Sequence, residues 1–327
     1  MSQPKKRVSQ RKPAEKTPSP DITTGDRKGR WSVFIIAGLV VIIALSIFGI
    51  GYYQNYVAPF QRIIITVDDT TINMDYFLKR SRLANLDPMT TMTAITNEQL
   101  VKLEAPNYGI EASPADVDNE LRRMARGESE TISDSEFREW YRQLLNETGL
   151  SDREFRENVT SGLLTIRLHE YLAERVPTVA EQVHLHVILL EEYEEAVEVR
   201  ARWEAGEDFA DLAREVSLDE ASKENGGDIG WVPRGISDWV DYWVFDLNPG
   251  EVSEPIMTTE EGGFHLAMVS EKTDARELDA DALEIVKSLA LEKWLAEIRT
   301  SHKIEYNFNS EIYAWLNWQL AKDTEEE

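Results

Sequence analysis

Histidine is scarce in this 327-residue chain, five in all, and two of the five fall where strand geometry could turn them toward one another. Across residues 183–190, Val183, Leu185, Val187 and Leu189 alternate with His184, His186, Ile188 and Leu190, a period of two that predicts a strand. Residues 263–269 repeat the pattern, with Phe264, Leu266 and Met268 opposite His265, Ala267 and Val269. If the two strands pair inside one sheet, the imidazoles of His186 and His265 can meet on one face, and Asp219 on the connecting segment adds a carboxylate. That set offers two tunable donor-acceptors and one negative charge. The same spacing also suits histidines satisfied within a core. His184 shares the His186 strand face, but no third ligand stands at a metal-binding spacing. The chain has no cysteine, which removes thiolate ligands, a Cys nucleophile and disulfides. The expectation is a site with no metal and no cofactor.

The elements that would position these groups follow from the pattern on either side. Pro177 marks a boundary. After the first strand comes a helix burying Ala196, Val199 and Trp203 and ended by Gly206, then a shorter one with Phe209, Leu212, Ala213 and Val216. The glycines of Gly226-Gly227-Asp228-Ile229-Gly230-Trp231 imply backbone conformations or close approaches that a Cβ would spoil. Residues 177–275 therefore read as a compact α+β unit, an antiparallel sheet with surrounding helices. Before it, Ile63, Ile64, Ile65, Thr66 and Val67 predict a strand that turns at Asp68-Asp69, and a helix starts near Asn73. Residues 86–95, rich in Thr and Met, read as a loop or frayed helix. Ser113-Pro114, Ser133 with Glu136 and Ser151 with Glu154 open three further helices. After the unit come a helix over 278–301, a strand over 304–308 and a helix from 310. Residues 62–175 and 276–320 are expected to form one mostly helical domain into which 177–275 is inserted, with the strand at 63–67 pairing to 304–308.

Charge divides the chain. Its formal net charge is -25, yet residues 1–30 hold nine Lys or Arg against three Asp or Glu, hence +6, which leaves -31 on the rest. So acidic a body repels phosphates, and no basic patch interleaved with aromatics is present, which excludes nucleic-acid binding. Residues 31–53 carry no charge and suffice to cross the roughly 30 Å hydrocarbon layer of a bilayer. Trp31 at one end and Tyr52 and Tyr53 at the other suit the two interfaces, and Arg27, Lys28 and Arg30 lie just before the run. The positive-inside rule predicts a disordered basic tail over 1–30 in the cytoplasm, a single transmembrane helix over 31–53, and the remainder on the extracytoplasmic side of the cell membrane. The rival reading is a cleaved signal peptide, but the apolar core is long for one and GIGYYQNY offers no small-x-small site.

Residues 183–271 resemble the parvulin, or PpiC-like, family of peptidyl-prolyl isomerases. The resemblance rests on VHLHVILL, on AGEDFADLAREVSLDEASKENGGDIGWVPRG, and on VFDLNPGEVSEPIMTTEEGGFHLAMVSEK. Within these lie the GEDFADLA helix, Ser-x-Asp before the Gly-Gly-Asp-x-Gly-Trp turn, the PGEVS turn and the histidine of the last strand. The flanks resemble the chaperone part of the PrsA/SurA group of foldases, in which N- and C-terminal segments fold together around the inserted isomerase. By this resemblance His186 and His265 form the catalytic floor, Asp219 takes the position that is Cys or Asp in the family, and Thr258 or Thr259 takes that of the threonine before the last strand. The Met and Phe that line the family's proline pocket correspond to Ile236 and Val240. Phe245 keeps the second aromatic, and Trp243 replaces a small residue.

The resemblance implies a membrane-anchored foldase that isomerises X-Pro bonds in newly exported, unfolded polypeptides. The alternative is a holding chaperone whose parvulin-like module is inactive or weakly active, motivated by the altered residues 236, 240 and 243. Relatives directed at phosphorylated substrates carry a basic loop after the first strand. Here that region reads VILLEEYEEAVEV, whose acidity would repel a phosphate, so ordinary X-Pro bonds are expected. The sequence specifies no oligomeric state.

Overall fold

The computed structural model describes residues 26–258 and 262–324. The tail expected over 1–30 lies outside these for its first 25 residues, and helix α1 (Asp26–Tyr52) already includes the rest. A single π-turn over Tyr53–Val57 and the short helix α2 (Ala58–Gln61) continue it. Residues Ala37–Gln61 are long and apolar enough to cross a membrane, with a mean hydropathy of 1.8. The described residues fall into two compact units, divided between Arg62 and Ile63.

The second unit begins with β1 (Ile63–Val67), which turns through Asp68 at φ 49° into β2 (Thr70–Asn73). Asn73 caps α3 (Met74–Ala84) by accepting from Tyr76 N–H at 2.9 Å. Sequence reading found the turn and the helix start but missed β2, which runs from one to the other and ends on the cap itself.

The region expected as a loop at 86–95 is instead most of α4 (Pro88–Glu104). Asp87 accepts from the N–H groups of Met89 and Thr90, and Pro88 occupies the first helical position, where its missing N–H costs nothing. Burial of Thr91, Met92 and Ile95 then outweighs the weak helical propensity of the threonines.

Helices α5 (Pro114–Arg126), α6 (Asp134–Thr148) and α7 (Asp152–Ala173) start at Ser113, Ser133 and Ser151, each with a complete capping box. The chain then forms β3 (Val179–Leu190), α8 (Tyr193–Glu204), α9 (Phe209–Val216), β4 (Asp228–Pro233), α10 (Asp238–Trp243), β5 (Ile256–Met257) and β6 (Phe264–Glu277). It ends with α11 (Ala280–Arg299), β7 (Ile304–Tyr306) and α12 (Ser310–Thr324).

Two sheets form among the described residues, ordered β2-β1-β7 and β4-β3-β6-β5. In the first, Ile65 pairs with Tyr306, so segments some 240 positions apart share one sheet, and α11 packs against α7 and α4. His169 Nε2 on α7 lies 3.1 Å from the Lys287 carbonyl oxygen on α11. In the second, β3 and β6 are central and antiparallel. Leu278 N–H donates to the Thr178 carbonyl at 2.8 Å, so the segment between them leaves and rejoins the helical part at one place.

The faces of the second sheet are covered differently. Val183, Leu185 and Val187 pack with Ala267 and Val269 of β6 and with Val240, Val244 and Phe245 from in and just after α10. Ile188 and Leu190 pack with Leu266 and with α8 and α9 through Ala196, Val199, Phe209, Leu212 and Ala213. The glycine-rich run enters β4 by close approach. A Cβ on Gly227, at φ 78°, would stand 2.3 Å from the Val187 carbonyl oxygen, and Val187 N–H donates to the Gly227 carbonyl at 2.8 Å.

Candidate functional site

The register of β3 against β6 decides which groups can act together. His186 stands opposite Met268, and His265 stands opposite Leu189. Because 186 and 189 are three positions apart on one strand, the two imidazoles lie on opposite faces of the sheet. The expectation that His186 and His265 meet on one face is therefore corrected. The strands do pair, but in a register that sets His186 with the Leu266 and Met268 stripe. Position 187, a valine, shares the His265 face.

On that face His265 is 2% exposed. Its Nδ1 lies 3.1 Å from Thr258 Oγ1, in a hydrogen bond that fixes the ring. The Trp239 indole stacks on it, with centroids 5.1 Å apart and planes at 27°. Thr258 follows β5, where Ile256 pairs with His265, and Thr259 lies outside the described residues. Gly263 permits the return into β6, since a Cβ there would meet the Leu190 carbonyl oxygen at 2.3 Å.

The expected pocket residues divide. Val240 and Phe245 are fully enclosed in the core beneath His265. Arg234 lies over the Phe245 ring at 4.1 Å and pairs with Glu181 at 2.6 Å, while Lys272 donates to the Phe245 carbonyl. Ile236 is half-buried. Trp243 turns outward, 54% exposed, in a T-shaped contact with Tyr242. The aromatic ring over the histidine is thus Trp239, one helical turn earlier than Trp243. In the sequence it was one of three aromatics, with Tyr242 and Trp243, that could fill the pocket volume.

Asp219 lies on a segment docked against β3 at the end where β4 begins. Leu218 N–H donates to the Leu189 carbonyl at 2.8 Å, and Ser217 Oγ accepts from Leu189 N–H at 3.2 Å. This holds the segment beside the residue that faces His265. The Asp219 carboxylate accepts from Ala221 N–H at 3.2 Å and from the Ser222 hydroxyl, closing its own turn rather than reaching an imidazole.

The other face carries a second polar group. Ser270 Oγ lies 3.1 Å from both His184 Nδ1 and His186 Nε2, and His184 Nε2 lies 3.0 Å from Asp228 Oδ1. The Trp231 indole stacks on His184 at 5.3 Å with planes at 13°. Burial, the largest influence, pushes the His186 pKa below the ordinary imidazole value; the Asp228 carboxylate opposes this, His184 adds to it, and the Gly226 carbonyl beside the ring opposes it weakly.

Comparison with known proteins matches residues 190–271 to the Rotamase family, the PPIC-type PPIASE domain. The matched segment contains Asp219, Thr258 and His265 and begins after His186. The chain is 29% identical over 205 residues to the foldase protein PrsA of Oceanobacillus iheyensis, covering 60% of this chain and 66% of that one. It is 30% identical over 168 residues to the chaperone SurA of Nitrosococcus oceani, covering 46% of this chain and 39% of that one. Among solved structures, peptidylprolyl isomerase PrsA of Bacillus anthracis aligns over 71% of this chain and 95% of that one, at 19% identity and a TM-score of 0.37. Residues 190–271 are a rotamase domain of the PPIC-type, parvulin class, in a chain related to the PrsA and SurA foldases.

Proposed function

We propose that this chain is a membrane-anchored extracytoplasmic foldase whose rotamase domain accelerates cis-trans exchange of X-Pro bonds in exported polypeptides. The observation that carries the reading is the buried His265–Thr258 pair beneath Trp239, inside the segment that matches the rotamase family. X-Pro exchange meets a barrier of about 20 kcal/mol because rotation breaks amide resonance, and no group need be transferred. The site must therefore bind the twisted amide better than either planar form.

In this reading His265, oriented by Thr258 and assisted by Thr259, presents a fixed dipole to the changing charge on the prolyl amide. Trp239 and Ile236 give the pyrrolidine ring an apolar wall, with Val240 and Phe245 as the packed support behind it. Asp219 anchors the turn that holds Leu218 against β3. Since Trp239 covers His265, substrate reaches the ring as the indole moves aside. The apolar stretch over Ala37–Gln61, behind a basic N-terminal segment, supports anchoring with the rotamase domain outside the cytoplasm. The acidity of residues 191–198 supports unphosphorylated clients.

A second reading, a holding chaperone with little isomerase activity, is favoured by one observation. The face that bears His265 has a valine at 187 where a second imidazole would have completed the floor. Cis-trans exchange measured in a series of X-Pro peptides with the full chain separates the two. Acceleration supports the enzyme. An exchange rate left at its uncatalysed value, whatever residue precedes proline, together with suppressed aggregation of an unfolded client, supports the holdase.

A further inference from the structure

On the face of the second sheet away from His265, sequence spacing offered two histidines and no third ligand. Folding supplies the third. Asp228, at the start of β4, stands directly opposite His186 in the β3–β4 register, and a nitrogen of each imidazole and an oxygen of the carboxylate all lie within 4.8 Å of one another. We propose that His184, His186 and Asp228 form a binding site for one divalent transition-metal ion, with Zn2+ the best fit.

Three features carry this. The first is a polar atom left over. Ser270 Oγ engages His184 Nδ1 and His186 Nε2, and His186 Nδ1 is buried with only the Gly226 carbonyl oxygen nearby and no hydrogen bond of full geometry. An orphaned buried nitrogen is costly, and a metal ion satisfies it. The second is the orientation of the rings. Metal-bound imidazoles are held through their other nitrogen by an outer hydrogen bond, and Ser270 provides that bond to both. It leaves His184 Nε2, already facing Asp228, and His186 Nδ1 for the ion. Gly230 N–H donates to Asp228 Oδ1 at 2.8 Å and fixes the carboxylate.

The third is backbone geometry built for the spot. Two irregularities flank the same two residues: β6 carries an extra residue, Ser270, between the partners of His184 and Leu185, and β4 carries one, Ile229, between the partners of Leu185 and His186. Bulges re-aim side chains and cluster beside functional sites.

The donor set selects the ion. Two imidazoles and one carboxylate suit Zn2+, Co2+ or Ni2+ and disfavour Mg2+ and Ca2+, which take oxygen ligands. With bonds of roughly 2.0–2.2 Å, the ligand atoms of a tetrahedral zinc site stand about 3.3 Å apart, so a small side-chain movement closes the cluster. The fourth position, toward solvent, is left for water. Bound there, the ion ties β3 to β4.

Titration of the chelator-treated full chain with Zn2+ by calorimetry, and with Co2+ by visible absorption, tests the site. The expected result is one saturable equivalent, d–d bands of nitrogen and oxygen ligation, a higher melting temperature with Zn2+, and no comparable effect of Mg2+ or Ca2+. His184→Ala, His186→Gln and Asp228→Asn should each weaken binding at least tenfold, whereas His265→Ala should bind as the parent does. Circular dichroism identifies any variant that fails to fold, and Asp228→Asn, which preserves shape, keeps the test decisive in that case. Absence of a saturable equivalent, or equal binding by the folded variants as expected of diffuse association with an acidic surface, overturns the proposal.

Discussion

The two faces of the β4-β3-β6-β5 sheet are built from the same strands and treat histidine in opposite ways. One face buries a single imidazole among the described residues, hydrogen-bonds it to Thr258 and covers it with an indole. The other leaves two imidazoles and a carboxylate partly exposed around one serine. The difference teaches that register, more than residue choice, distributes chemistry across a sheet, because a shift by one position moves a side chain to the opposite face. An apolar, water-poor face suits recognition of a proline ring and its amide. A face with two lone-pair donors and a carboxylate suits a cation.

Substitutions can break that comparison at different depths. The largest effect on stability is expected beneath His265. Phe245→Ala, at a position with no exposure, should cost about 3–5 kcal/mol in denaturant unfolding. Trp243→Ala, on the exposed side of the same short segment, should stay within about 0.5 kcal/mol. Equal costs would mean that Trp243 belongs to the wall.

A smaller effect, of opposite origin, is expected on filling the support. Val240→Phe restores the aromatic of the family pattern but enters a packed core, and overpacking should cost about 1–3 kcal/mol. Ile236→Met, half-buried and close in volume, should cost less than about 1.5 kcal/mol. A stabilising Val240→Phe would reveal an unfilled pocket.

The smallest expected effect lies on the other face. Ser270→Ala removes a hydroxyl shared by two partly exposed imidazoles and should cost about 0.5–1.5 kcal/mol in chelator-treated protein, without altering isomerisation. A loss of isomerisation there would couple the faces.

Much of this architecture was legible in local patterns. The capping serines at 113, 133 and 151, the two alternating strands and the crowded Gly227 were readable because each depends on neighbours in sequence. The α4 start was also local, in Asp87-Pro88, but the Thr- and Met-rich composition after it obscured the periodicity.

What local pattern could not supply was the relation between strands. His186 and His265 were each placed on the correct element, and the stripes of both strands were read correctly. Which stripe of β3 faces the same side as which stripe of β6 depends on the pairing of His186 with Met268, which leaves no mark near the histidines. The β3–β4 register likewise brought Asp228 beside His184 and His186, a proposed third ligand that spacing along the chain had hidden. Trp239 could not be told from its aromatic neighbours for a related reason. Three aromatics fall within residues 239–243, and only packing against His265 distinguishes the one that faces inward.

The central claim, that proline chemistry belongs to the His265 face alone, is tested most directly by exchange spectroscopy on X-Pro peptides with three folded, chelator-treated proteins: the parent chain, His265→Ala and His186→Ala. The account predicts a loss of at least about tenfold in catalysed exchange for His265→Ala, with His186→Ala within about twofold of the parent. A loss in His186→Ala as large as that in His265→Ala would contradict it.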